Sequence, residues 1–330
     1  MTIRAVCYGL GPIGMGIARL AAGRAGIAIV GAVDIDQAKV GRDLGDLLGL
    51  APLGVAVTDD AAALLAAARP SVVFHATGSS LRQVSDQLAL LLQGGANVVS
   101  TCEELSFPWS AQPGLAAELD GVARRNGVTL LGTGVNPGYA MDVLPLMLTA
   151  PCISVASVRV VRVVDAALRR GPLQRKVGAG LTAAAFAAKV ADGSVRHVGL
   201  PESLQMVAST LGWRLERVED TIEPVLAAVP IATEHVSVAA GQVAGVHQVA
   251  RGFADGRAVV TLDLQMYLGA PDPRDEVTID GDPPLRAVVP GGFQGDSATA
   301  AIVVNAANNV VLAKPGLLSM GDIGVVACGR

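Results

Sequence analysis

Aromatic side chains are scarce in this chain, at 3% of 330 residues, and charged residues make up only 16%. The low charge and the 51% apolar content together exclude a disordered chain. The net charge is −4, so there is no basic surplus of the kind that grips nucleic acid or an anionic membrane. Long apolar runs are also missing, although the mean hydropathy is +0.49. The longest uncharged stretch, Ser297–Ala313, carries Ser297, Asn305, Asn308 and Asn309, and falls short of the roughly 20 apolar residues a spanning helix needs. The N-terminal apolar run is broken by Gly9, Gly11, Pro12 and Gly14 and does not read as a signal peptide. Cysteine is limited to Cys7, Cys102, Cys152 and Cys328, with no CxxC pair. These read as reduced thiols of a cytoplasmic protein, with no metal site and no disulfide frame.

What is abundant is glycine, 39 residues, on an alanine-rich background. The length exceeds that of one ordinary core and suggests two domains. Ile3–Tyr8 reads as a buried parallel strand, and Gly9-Leu10-Gly11-Pro12-Ile13-Gly14 follows it directly. A helical segment, Met15–Ala25, and a second strand, Ile27–Val33, come next. This is the GxGxxG fingerprint in its strand–turn–helix–strand context, which predicts a dinucleotide pyrophosphate on the helix N-terminus. Asp34 lies 20 residues beyond Gly14, where an acid hydrogen-bonds the ribose 2′-hydroxyl. The same acid repels a 2′-phosphate, so NAD is favoured over NADP. Lys39 and Arg42 are near enough to soften that preference.

Strand-like runs recur at Val55–Thr58, Ser71–His75, Asn97–Thr101 and Val128–Gly132. Helical segments alternate with them at Asp60–Ala68, Leu81–Leu92 and Ala111–Asn126. Such alternation predicts an α/β fold with a Rossmann-type doubly wound parallel sheet, whose ligands lie beyond the C-terminal strand ends. The candidate cofactor residues are therefore Gly9, Gly11, Pro12, Ile13, Gly14 and Asp34 in the fingerprint. At the later strand ends they are Ala76, Thr77, Gly78, Ser100, Thr101, Cys102 and Asn136. His75 is expected to be a hydrogen-bonded wall residue and Cys102 a small packing residue. The adjacent acids Glu103 and Glu104 sit on one of these loops. A carboxylate there can bind an ammonium or act as a base toward an amine; the plainer alternative is one solvated acid and one helix-start acid.

Beyond Pro137 the texture changes. Ile153–Val164 is β-like, with Arg159 and Arg162 interposed. Asp165–Thr182 reads as a glycine-rich loop with four cations among the eight residues Arg169–Lys176, which suits an anion contact or, equally, a solvated surface. Ala183–Val190 and Pro201–Leu211 read as helices, Val236–Val249 and Ala258–Leu268 as antiparallel strands, Asp272–Pro284 as a turn-rich segment, and Gly291–Ala313 as a glycine-led apolar helix. The boundaries expected are a dinucleotide-binding domain at 1–136, a central α+β domain with an open mixed sheet at 137–290, and a C-terminal segment at 291–330 that returns to the first. Asn136, Pro137, Tyr139, Arg170 and Lys176 form the candidate substrate pocket.

Several blocks in order resemble one family: Tyr8–Gly14, Val33–Asp36, Val98–Leu105, Gly132–Gly138, Arg169–Gly178, Pro201-Glu202-Ser203 and Gly295–Ala300. They resemble the 2,4-diaminopentanoate dehydrogenases and the related native NAD(P)-dependent amine dehydrogenases, across essentially the whole chain. The resemblance implies the fold of dihydrodipicolinate reductases, a central domain that aids formation of a homodimer, and a catalytic glutamate at Glu103-Glu104. That role is placed on Glu104, with Glu103 second. The paired histidines of the reductases are absent, and Lys176-Val177-Gly178-Ala179-Gly180 stands in the comparable place. The implied activity is reversible oxidative deamination of a small amine, or in reverse the joining of ammonia to a ketone or aldehyde. An amino-acid dehydrogenase of the 2,4-diaminopentanoate type and a non-catalytic NAD-binding sensor are the alternatives.

Overall fold

The computed structural model describes residues 2–329. In chain order the first elements are β1 (Ile3–Tyr8), α1 (Pro12–Ala22), β2 (Ile27–Val33), α2 (Leu44–Leu48), β3 (Val57–Thr58), α3 (Ala61–Ala68), β4 (Val72–His75), α4 (Leu81–Gln93), β5 (Asn97–Ser100), α5 (Pro113–Arg125) and β6 (Thr129–Gly132). Then follow α6 (Val143–Thr149), β7 (Ser154–Asp165), α7 (Gly171–Lys176), α8 (Ala183–Ala191), α9 (Leu200–Thr210), β8 (Arg217–Leu226), β9 (Ile231–Ala232), β10 (Ser237–Val238), β11 (Val243–Ala254), β12 (Arg257–Tyr267), β13 (Arg274–Asp282) and β14 (Leu285–Pro290). The chain closes with α10 (Gly295–Leu312) and β15 (Gly316–Leu318).

These elements form two compact units. One comprises the described residues through Tyr139 together with those from Gln294 onward; the other is Ala140–Phe293. The sequence expectation placed the divisions at 136/137 and 290/291.

The first unit is built on a seven-stranded, all-parallel sheet in the order β15-β6-β5-β4-β1-β2-β3. Its central strands are apolar on both faces because helices cover both. All four residues of β4 are buried, and so are all four of β6. Leu81, Val84, Leu88, Leu91 and Leu92 of α4 pack with Leu119, Val122 and Ala123 of α5 over one face. The helix α10 returns to this unit and lies against α1, β4, β5 and β6.

The second unit carries a six-stranded mixed sheet in the order β14-β13-β7-β12-β11-β8, in which only β7 and β12 run parallel. The helix α9 packs on β11 and β12, and α6 packs on β13.

Here the sequence expectations need correction in several places. The stretch Val236–Val249 is not one strand: a turn at Gly241 separates β10 from β11, and β11 continues to Ala254 before the Asp255-Gly256 hairpin turn into β12. The segment Asp272–Pro284 is mostly strand. Its inward positions Asp275, Val277 and Ile279 are buried, and the acid among them is tolerated because Arg162 meets it. The strands β8 and β14 carry charge and proline and gave no strand signal. Both are sheet edges, where a missing N–H and solvated side chains are accepted. The expected loop 165–182 contains the short helix α7. Buried Gln174 ties it down, donating to the carbonyls of Ala167 and Arg169 at 3.2 and 2.7 Å and accepting from Thr233 at 2.8 Å.

Candidate active site

The fingerprint turn joins β1 to α1 as the spacing predicts. A Cβ on Gly14 would collide with the carbonyl oxygen of Gly9, so the helix can start against the strand only with glycine there. At Gly11 the situation is opposite. A Cβ there would meet no heavy atom within 4 Å, so packing does not demand glycine and the space is open to a ligand. Pro12 occupies the first helical turn and no side chain caps the helix, which leaves an anion-ready N-terminus. Asp34, at the end of β2, turns back onto this turn. Its Oδ2 accepts the Leu10 N–H at 2.7 Å and its Oδ1 accepts the Asp36 N–H at 2.9 Å. Burial works against its charge, but these two N–H groups and the Lys39 ammonium hold its carboxyl below the usual range. These features fit a dinucleotide, whose pyrophosphate would sit over Gly11 and α1 and whose adenosine ribose would reach Asp34.

The loops after β4 and β5 are laced together. Thr101 N donates to His75 O at 2.9 Å, Glu104 N to Ser79 O at 3.3 Å, and Cys102 Sγ to Ser79 O at 3.2 Å. His75 is wholly buried. Its Nδ1 lies 2.9 Å from Ser100 Oγ, and its Nε2 lies 2.9 Å from Gln87 Oε1 and 3.0 Å from Thr77 Oγ1. Burial pushes its pKa down to about 4, so the ring is neutral at ordinary pH. Cys102 is buried too, with its thiol pushed up to about 12, which makes it a packing group with no thiolate to offer. His75 and Cys102 thus stand as the sequence suggested, a wall residue and a filler.

Both acids lie on a single 3₁₀ turn, Glu103–Leu105, beyond β5. This turn rests on the end of β6. A Cβ on Gly132 would come within 2.6 Å of the Leu105 carbonyl carbon, so glycine at 132 sets the approach. The two carboxylates differ in use. Glu104 Oε2 accepts the Leu81 N–H at 2.7 Å, capping α4 where Ser80 provides no side-chain cap, and also accepts Gln112 Nε2 at 2.8 Å. The Glu103 side chain is partly buried and makes no hydrogen bond or ion pair among the described residues. Nothing in the sequence singles out Gln112, Gln87 or Ser79, since each acts through a fold contact.

After β6, Thr133, Asn136 and Pro137 are buried, and Tyr139 closes the segment. The Thr133 hydroxyl is buried without a hydrogen-bond partner among the described residues, an acceptor or donor left for a bound group. Thr299 of α10 steadies this loop by accepting the Val135 N–H at 3.2 Å. The fingerprint, Asp34, the residues 76–78 and 100–104, and Asn136 therefore all belong to one unit at the C-terminal end of one sheet. Arg170 and Lys176 belong to the other unit, at the two ends of α7.

A model of the 2,4-diaminopentanoate dehydrogenase C-terminal domain matches residues 139–329. The 2,4-diaminopentanoate dehydrogenase of Acetoanaerobium sticklandii is 32% identical over 98% of this chain and 94% of its own. The chain belongs to the 2,4-diaminopentanoate dehydrogenase family. The amine dehydrogenase of Mycobacterium smegmatis superposes with a TM-score of 0.88 at 29% identity, over 99% of this chain and 97% of the other. A dihydrodipicolinate reductase from Paenisporosarcina shares the fold, with a TM-score of 0.51 at 15% identity over 97% and 99% of the two chains. The family resemblance and the Rossmann-type fold read from the sequence are thus both established.

Proposed function

We propose that this member of the family interconverts a small amine and the corresponding ketone or aldehyde, with Glu103 as the acid–base group. The chain is an NAD(P)-dependent oxidoreductase acting on CH–NH2 donors. In the oxidative direction amine, NAD(P)+ and water give carbonyl compound, ammonium and NAD(P)H. When bound, the nicotinamide supplies the hydride acceptor or donor.

The observation that carries the assignment to Glu103 is that neither of its carboxylate oxygens is engaged among the described residues, whereas Glu104 Oε2 already accepts two hydrogen bonds. An acid that must take and release a proton, or hold an ammonium, needs a free lone pair within reach of the substrate. Glu104 already accepts two hydrogen bonds and is suited to fixing the turn on α4. This reading puts Glu103 first, where the sequence reading puts Glu104 first. Asn136 and Thr133 border the same strand ends and orient the bound groups, while the buried His75 keeps the loops of 76–80 and 100–104 in register. An amino-acid substrate, unlike a plain amine, would call for a cation to meet its carboxylate, and Arg170 and Lys176 are the candidates to substitute.

The test is reductive amination with NADH, ammonia and a panel containing a small plain ketone and an amino ketoacid. Turnover of the plain ketone that collapses in Glu103→Gln supports the reading. A preference for the amino ketoacid that disappears in Arg170→Met or Lys176→Met moves the substrate to the 2,4-diaminopentanoate type. NADH binding without oxidation across the panel would leave a cofactor sensor.

A homodimer and a cytoplasmic setting complete the reading. They are supported by the family resemblance and by four cysteines that are all unpaired. Sedimentation equilibrium checks the first. Among the described residues no helix is long and apolar enough to cross a membrane.

A further inference from the structure

The end of β2 carries more than the single acid of a plain ribose site. Lys39 Nζ lies 3.2 Å from Asp34 Oδ2 and 3.3 Å from Asp36 Oδ2, so one ammonium is held between two carboxylates. Both acids are themselves fixed by the backbone. Asp34 accepts from Leu10 N and Asp36 N, and Asp36 Oδ1 accepts from Ala38 N at 3.0 Å. The Lys39 backbone is fixed as well, its N–H donating to Asp36 O at 2.8 Å and its carbonyl accepting from Arg42 N at 3.0 Å. Arg42 is exposed, and its guanidinium makes no ion pair or hydrogen bond among the described residues. Two acids and two cations thus sit within nine residues, and the local charge balances.

Hydrogen-bonding capacity gives this balance a consequence. An ammonium has three N–H donors, and the two carboxylates take two of them. Each carboxylate oxygen accepts two bonds. Asp34 Oδ2 is filled by Leu10 N and Lys39, while Oδ1 holds only Asp36 N and keeps one lone pair. The same small cluster therefore has one acceptor to spare for a hydroxyl and one donor to spare for an anion.

Resting on the reading of this unit as a nicotinamide dinucleotide site, we propose that Lys39 sets specificity at the adenosine ribose, making the site accept both the 2′-hydroxyl of NAD and the 2′-phosphate of NADP. The 2′-hydroxyl donates to the remaining lone pair of Asp34 Oδ1. The 2′-phosphate takes the third N–H of Lys39 and the guanidinium of Arg42, while the Lys39 charge cancels the repulsion that Asp34 would otherwise exert. Without Lys39, Asp34 faces the phosphate as an uncompensated carboxylate. NADP is then rejected and NAD is retained.

The experiment is direct binding to the full-length protein, with no turnover involved. NADH and NADPH are titrated by nucleotide fluorescence, and 5′-ADP and 2′,5′-ADP by calorimetry, on the native protein, Lys39→Met and Lys39→Arg. The native protein is expected to bind both dinucleotides. Lys39→Met is expected to weaken NADPH and 2′,5′-ADP by about tenfold or more and to leave NADH and 5′-ADP within about threefold, since a charge-assisted contact is lost only for the phosphate. Lys39→Arg keeps the charge and should stay within about threefold of the native protein for all four ligands. Native protein that binds NADH and rejects NADPH overturns the proposal, as does a Lys39→Met variant that weakens both dinucleotides alike or neither. Native protein that binds neither dinucleotide overturns the cofactor reading itself.

Discussion

Glu104 Oε2 accepts the Leu81 backbone N–H at 2.7 Å, so one member of the acid pair serves as the N-terminal cap of α4. Its neighbour Glu103 has no such duty. The two substitutions should therefore separate chemistry from stability. Glu103→Gln is expected to lower kcat by about 10²–10⁴-fold while leaving the melting temperature and NADH affinity nearly unchanged. Glu104→Ala is expected to cost about 1 kcal/mol of stability through the lost cap, with the smaller loss of turnover. Steady-state kinetics and thermal melts on both variants decide it, and a larger rate loss in the Glu104 variant would return the chemistry to that residue.

The glycines of the fingerprint should also part company. Gly14→Ala places a methyl against the Gly9 carbonyl and is expected to yield unstable or insoluble protein. Gly11→Ala meets no protein atom and is expected to melt like the native chain. Its defect appears only with ligand, as dinucleotide affinity reduced by about tenfold or more where the methyl occupies the pyrophosphate's place. Circular dichroism melts paired with NADH titration make the comparison, and unimpaired NADH binding by Gly11→Ala would show that the pyrophosphate lies elsewhere.

Within the second unit, Arg162 Nη1 meets both oxygens of Asp275 at 2.5 and 2.6 Å, almost fully out of solvent. Arg162 Nη2 also donates to Phe293 O at 2.8 Å, and Asp275 Oδ2 accepts Phe293 N at 2.7 Å, so the pair fixes the last residue of this unit. Removing one partner strands a buried charge. Asp275→Asn is expected to destabilise by about 3–5 kcal/mol, whereas Arg162→Met combined with Asp275→Leu should recover a substantial part. Urea unfolding of the three proteins tests this; a double variant no better than the single one would mean that the bonds to Phe293 outweigh the ion pair.

Buried His75 gives the protein an acid-sensitive point. Its folded pKa, about 4, lies below the ordinary value of 6.5. Between these values the unfolded chain binds a proton that the folded chain refuses, so stability falls as pH falls through that window. The shift corresponds to about 3 kcal/mol by pH 4. His75→Gln lacks this term, and the slope of stability against pH between 6.5 and 4 should be shallower in it by up to about one proton. Equal slopes in native and variant protein would place the acid sensitivity in other groups.

Much of the first unit was legible because its signals are local. Strand, GxGxxG turn, helix and strand-end acid lie within the first 36 residues, and the apolar runs of β4, β5 and β6 are continuous because both sheet faces are covered. The second unit was harder to read. β8 and β14 are edges whose charges and prolines imitate loops, and buried Asp275 on β13 makes sense only beside Arg162, 113 positions away in sequence. Helix α7 depends on Gln174 reaching carbonyls and Thr233 outside it, which no periodicity reports.

The acid pair marks the boundary most clearly. The sequence by itself determined that two adjacent carboxylates stand on the loop after a parallel strand, because the run Val98-Val99-Ser100 and the charges beyond it can be read directly. It also determined the cofactor turn, whose glycines are required at fixed spacing. Only the tertiary structure distinguished the two acids. Leu81 and Gln112 occupy Oε2 of Glu104 and tie that side chain to the start of α4, while both oxygens of Glu103 stay open, and a carboxylate spent on holding a helix is less free to turn to a substrate.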